Sequence, residues 1–120
     1  MEEKDFNNEQ KWQQLLEQLR RSIGKKPRDL NALLFLIGVQ ELGKGKRVYS
    51  REEKRDLIHI AICKVLSLSG YYRLEGYDED GWPHWVLVRK LPYADLLQQE
   101  VWLRAHILHY FEQETGLESS

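Results

Sequence analysis

The chain has 120 residues, a formal net charge of −1, 42% hydrophobic and 31% charged residues, which is the make-up of one ordinary globular domain and not of a disordered or fibrous chain. Its single cysteine excludes an intramolecular disulfide framework, and its longest apolar run, Ala32 to Val39, is far too short to span a bilayer, so no membrane partner is expected. Together with an acidic, polar start that lacks an apolar signal region, these features predict a cytoplasmic protein folded as a single domain over residues 1–120.

Residues 1–8 read as a flexible tail. Phe6, Trp12, Leu15, Leu16, Leu19 and Ile23 then recur at helical spacing and predict a first helix from about Asn8 to Ser22 with one narrow apolar stripe. Gly24 and Pro27 end it, and Lys25-Lys26-Pro27-Arg28 forms a basic connector. Asp29 is the expected N-cap of a second helix in which Leu30, Leu33, Leu34, Phe35, Leu36, Ile37, Val39 and Leu42 point nearly all round the cylinder. A helix apolar on every side belongs in the interior. Gly43 and Gly45 stop it.

Val48-Tyr49 is too short to assign alone and is a candidate third strand beside the hairpin that follows. Ser50 with Glu53 three residues later is a capping box, so a third helix starts near Arg51. Leu57, Ile58, Ala61, Ile62, Val65, Leu66 and Leu68 fall on one broad face, and Glu52, Asp56, His59, Cys63 and Ser67 on the opposite one. Gly70 follows its last turn, and the period then changes from helical to alternating. Strands are expected over about Tyr71 to Tyr77 and His84 to Lys90, joined at Asp80-Gly81. With those two residues at the centre of the turn, Glu79 faces Trp82, Leu74 faces Leu87 and Gly76 faces Trp85.

Leu91-Pro92 opens a last helix from about Tyr93 to Gln113, with residues 115–120 as a second flexible tail. That helix carries two apolar stripes, one with Leu97, Val101, Ala105 and Leu108, the other with Leu96, Leu103, Ile107, Tyr110 and Phe111. Two stripes need two partners. The first helix can cover one of them, or a second copy of the chain can, and Trp102, outside both stripes, favours a homodimer with Trp102, Leu103 and Tyr110 near its axis. The predicted class is therefore α+β, four helices with a small antiparallel hairpin or three-stranded sheet.

Charge is unevenly spread. Arg20 to Arg55 holds eleven lysines and arginines against four acids, whereas residues 65–120 hold four against nine. If the basic half meets a polyanion, Lys44, Lys46, Arg47 and Arg51 supply the phosphate contacts. Trp82, Pro83, His84 and Trp85 gather two indoles and an imidazole at the far end of the hairpin, a composition favoured at protein interfaces.

Glu52, Asp56, His59 and Cys63 share one stripe of the third helix and include ligand types suited to zinc, with Asp56, His59 and Cys63 the candidate set. None of the known ligand signatures is present, and no metal or other cofactor is expected. Asp78-Glu79-Asp80-Gly81 lacks the distal carboxylate and flanking helices of a calcium loop, and Gly43-Lys44-Gly45-Lys46 lacks the length of a phosphate-binding loop. No glycine-bracketed serine or Cys/His nucleophile pattern is found, so a non-catalytic role is expected.

The succession of two helices, the Lys46–Tyr49 segment, a helix from Ser50 to Ser69, the hairpin Tyr71–Lys90 and a closing helix resembles the winged helix-turn-helix domain over residues 30–90. Gly70-Tyr71-Tyr72-Arg73-Leu74-Glu75-Gly76-Tyr77, followed by Asp78 to Trp85, is similar to a wing in composition and position. The resemblance implies a nucleic-acid-binding regulator. The departure is that Glu52, Asp56 and His59 stand where the reading helix of that family meets phosphates and bases, and carboxylates there cost affinity. The first expectation is thus a self-associating interaction or adaptor domain with a protein partner, and the second a winged-helix-like nucleic-acid binder.

Overall fold

The computed structural model describes the backbone of residues 2–45, 47–92 and 96–115 and the side chains of residues 8–45, 47–92 and 98–113. The expectations for Lys46, for a helix opening at Tyr93 and for residues 116–120 lie outside the described residues. Among the described residues the architecture is α+β: four α-helices and a two-stranded antiparallel sheet. The chain groups into two units, Met1–Pro27 with Pro92–Ser120, and Arg28–Leu91.

In the second unit, α2 (Leu30–Leu42) starts where Asp29 leaves the extended conformation and its carboxylate accepts from the Ala32 amide at 2.8 Å. It ends at Gly43, whose left-handed backbone (φ 72°) lets its N–H reach the Val39 carbonyl. Helix α3 (Arg51–Ser67) opens on the expected capping box. The Glu53 amide donates to Ser50 Oγ at 3.1 Å, and the Ser50 amide donates to Glu53 Oε1 at 2.9 Å. At its far end Gly70 N–H reaches the Ser67 carbonyl and Tyr71 N–H the Leu66 carbonyl, a pair that closes the last turn and turns the chain into β1 (Tyr72–Tyr77).

The α2–α3 pairing is the core of this unit. Leu33, Leu34, Ile37, Gly38 and Leu42 of α2 and Leu57, Ile60, Ala61, Cys63, Val65 and Leu66 of α3 are buried. The expected division of α3 is corrected here. Cys63, placed on the polar side by the sequence, is fully buried; Ile60, missing from the expected apolar face, is buried too; and Ile58 and Ile62 are only half-buried. The physical reason is that α3 is covered on two sides, by α2 and by the hairpin, so a single apolar sector does not describe it.

Strand β2 (Pro83–Leu87) pairs with β1, with Tyr72 opposite Leu87, Leu74 opposite Trp85, Gly76 opposite His84 and Tyr77 opposite Pro83. The expected register was wrong for two reasons. The turn is longer than two residues, because the Asp78 carboxylate accepts from the amides of Asp80 (2.9 Å) and Trp82 (3.0 Å) and holds an Asp78–Trp82 closure with Gly81 left-handed at φ 84°. An irregularity between Leu74 and Gly76 then shifts the pairing once more. Val48-Tyr49 is not a strand. Val48 is 96% exposed, while Tyr49 is buried with its hydroxyl donating to the Gly45 carbonyl and its ring edge-on to Phe35. A buried ring at that position anchors the loop to the core without any backbone pairing.

At the base of the hairpin the Arg89 guanidinium lies over the Tyr71 ring, 4.1 Å from its centroid. It donates to the Tyr71 hydroxyl and the Ser69 carbonyl. This ties the returning strand to the end of α3.

In the first unit, α1 (Glu2–Ile23) begins six residues before the expected start, so the sequence reading of residues 1–8 missed a helical backbone that carries few apolar side chains. Helix α4 (Leu96–Tyr110) packs against α1 and ends in a π-type turn, Phe111–Thr115. Trp12, Leu15 and Leu19 of α1 and Leu103, Ile107, Leu108, Tyr110 and Phe111 are buried. Among the described residues no helix is long and apolar enough to cross a membrane.

Candidate functional site: a cleft between the third helix and the hairpin

The second unit carries a cleft of about 430 Å³ with one wall from α3 and the other from the hairpin tip. Helical spacing brings Glu53, Asp56, Ile60 and His59 to it from α3, because positions three and four apart share a face. The long turn and β2 bring Asp78, Asp80, Trp82, Pro83, His84 and Trp85. Four carboxylates, two imidazoles and two indoles therefore converge, and among the described residues no lysine or arginine lines the cleft.

The two indoles differ. Trp82 is half-buried and packs against the cluster of Leu42, Tyr49, Leu57 and Ile60, so one side of it belongs to the core. Trp85 is also half-buried, but its Nε1–H is shielded from solvent and has no hydrogen-bond partner among the described residues. A buried donor left unpaired costs about 1–3 kcal/mol. Such a group in the wall of a cleft calls for an explanation.

Two of the carboxylates are committed to the fold. Asp78 accepts from the Asp80 and Trp82 amides and pairs with His84 at 3.1 Å; the Trp82 amide above all, then His84, holds its carboxyl below the usual range. Glu53 is held low by the Ser50 amide, with Arg47 adding to the effect at 3.1 Å. Asp56 and Asp80 have no side-chain partner among the described residues, and both are exposed at the cleft.

The candidate zinc set does not assemble. Cys63 is buried away from the exposed Asp56, and burial pushes its thiol up to about 12. His59 Nε2 lies 3.5 Å from Cys63 Sγ, and its ring is edge-on to Tyr72. No group of three or more His, Cys, Asp or Glu side chains that could hold a metal ion occurs among the described residues.

The candidate phosphate contacts are partly turned inward. Lys44 Nζ donates to the Asp80 carbonyl at the hairpin tip. Arg47 bonds Glu53 and lies over the Tyr49 ring, 4.8 Å from its centroid. Arg51 is exposed at the start of α3.

The first unit has a smaller groove, about 300 Å³, bounded by Asn8, Trp12, Val101, Arg104 and Leu108. Arg104 sits 5.0 Å from the Trp12 ring centroid and bonds Glu100 at 3.2 Å, with Glu9 at 3.7 Å. Of the residues expected near a dimer axis, Leu103 and Tyr110 are already buried within the single chain. Trp102 is half-buried, 4.3 Å centroid to centroid from His106, whose Nδ1–H donates to the Trp102 carbonyl. Val101, which the sequence places in an apolar stripe with Leu97, Ala105 and Leu108, is 59% exposed beside the groove.

The sequence singled out both indoles and Asp56, but not the convergence of Asp56 with Asp80, which depends on the unforeseen turn. No protein-family profile, curated protein or solved structure matches the chain.

Proposed function

We propose that the chain is a non-catalytic, cytoplasmic interaction module that docks a protein partner in the α3–hairpin cleft and self-associates through the outer side of α4. The observation that carries this reading is the pairing of two half-buried indoles with two uncommitted carboxylates in one open cleft. Indoles supply large contact area at low entropic cost, and carboxylates select the partner's charge. The same carboxylates oppose nucleic acid at this face, where each phosphate approaching Asp56 or Asp80 meets like charge. For self-association the supporting feature is the exposed Val101 next to the half-buried Trp102.

Co-purification of the full chain from its host tests the docking. A discrete protein that accompanies the wild type and is lost with Trp85→Ala, the variant's helical circular dichroism being unchanged, supports the reading. Recovery of nucleic acid instead overturns it. Sedimentation equilibrium tests the second element: a dimer reduced to a monomer by Val101→Glu is expected.

A further inference from the structure

We infer that the cleft between α3 and the hairpin receives an arginine side chain presented by a partner peptide; this rests on the docking function proposed above. Four carboxylates line the cleft, yet Glu53 and Asp78 are occupied within the fold, by the Ser50 amide and Arg47 in one case and by the turn amides and His84 in the other. The carboxylates of Asp56, from α3, and of Asp80, from the turn, whose main-chain carbonyl already holds the Lys44 ammonium, have no partner among the described residues and remain to meet an incoming cation. Trp82 and Trp85 line the same cleft, so a cation that enters meets indole surface as well as carboxylate. A guanidinium matches both, because its plane stacks on an indole while its edge donates two parallel bonds to a carboxylate. An ammonium offers a point charge only.

A bare metal ion is the wrong occupant. Among the described residues no three of the carboxylates and imidazoles of the cleft form a group that could hold one metal ion, and a metal ion leaves the indoles without a role. A guanidinium thus supplies, in one group, both the cation and the stacking plane that this lining calls for.

Fluorescence anisotropy with labelled N-acetylated, C-amidated Gly-Arg-Gly, Gly-Lys-Gly and Gly-Gln-Gly peptides and the full chain tests this. Saturable binding of the arginine peptide is expected, with weaker binding of lysine and none of glutamine. Asp56→Asn and Asp80→Asn, both at exposed positions, should each weaken the arginine peptide by about fivefold, near the upper end for an exposed ion pair, with an unchanged urea midpoint. Equal binding of the glutamine peptide, an affinity unmoved by both substitutions, or no binding of the arginine peptide at millimolar concentration would overturn the inference. If the co-purified partner is lost with Trp85→Ala but kept by the Asp56→Asn, Asp80→Asn double variant, the docking function stands and the arginine does not. If none of these variants moves the partner, both fail.

Discussion

Gly38 of α2 lies directly against the backbone of Leu57 of α3: a Cβ placed on Gly38 would stand 2.7 Å from the Leu57 carbonyl carbon and 2.9 Å from its Cβ. Real Cβ atoms do not come so close, so the missing side chain is what sets the separation of the two helices. The cost of glycine inside a helix, about 1 kcal/mol, is accepted for this contact. Gly38→Ala should therefore destabilise the chain by about 1–3 kcal/mol, although alanine is the better helix former. Urea unfolding followed by circular dichroism measures it, and an equal or higher midpoint would mean that the helices separate freely.

Trp82 and Trp85 should part company under substitution. Trp82 packs on Leu42, Tyr49, Leu57 and Ile60, and Trp82→Ala should cost about 2–3 kcal/mol through lost burial. Trp85→Phe keeps a ring and removes the buried unpaired N–H, so stability should stay level or rise by about 1 kcal/mol. Thermal melts of the two variants distinguish them, and a Trp85→Phe melt well below wild type would show that the N–H has a partner.

Asp78 makes the hairpin turn sensitive to acid. Its folded carboxyl titrates below the ordinary value of 3.8, so the stabilisation it gives is present above that pH and is lost as pH falls through the lower, folded value. Amide exchange at Asp80 and Trp82, the two amides bonded to Asp78 Oδ1, should thus lose protection in acid below about pH 4. In Asp78→Ala that protection should already be missing at neutral pH. Protection that persists in the alanine variant would show that the turn holds without the carboxylate.

Cys63 is predicted to be chemically silent in the native chain. Its thiol is raised from 9.0 to about 12 by burial, and so the protonated form favours folding below pH 9, a preference that fades as pH rises toward 12. A thiol-exchange reagent at pH 8 should leave the native protein unmodified and react with one equivalent in urea. Fast modification without denaturant would place the thiol at the surface.

Helices α2 and α3 were legible because each carries local start and stop chemistry. Asp29 and Ser50 cap with their own side chains, and Gly43 and Gly70 supply left-handed residues, all within four positions of the element they bound. What was not legible depends on partners distant in sequence. Cys63 looks polar-facing until the hairpin is known to cover that side of α3, and Gly38 looks like a weak point in a helix until Leu57 is placed against it. Asp78 concealed the hairpin register, since a carboxylate that bonds two amides of its own turn overrides the two-residue preference of Asp80-Gly81. The site followed the same rule: Trp82 and Trp85 could be read from composition, whereas the approach of Asp80 to Asp56 needed the real turn.

The most direct measurement is a titration of the ¹⁵N-labelled chain, following the indole N–H resonances of its four tryptophans, assigned through Trp→Phe variants. Addition of the arginine peptide should shift the signals of Trp82 and Trp85 and leave those of Trp12 and Trp102 in place, while duplex DNA moves none of them. If duplex DNA shifts the Trp82 and Trp85 signals and the arginine peptide leaves them unmoved, the cleft faces nucleic acid and the protein-docking function is wrong.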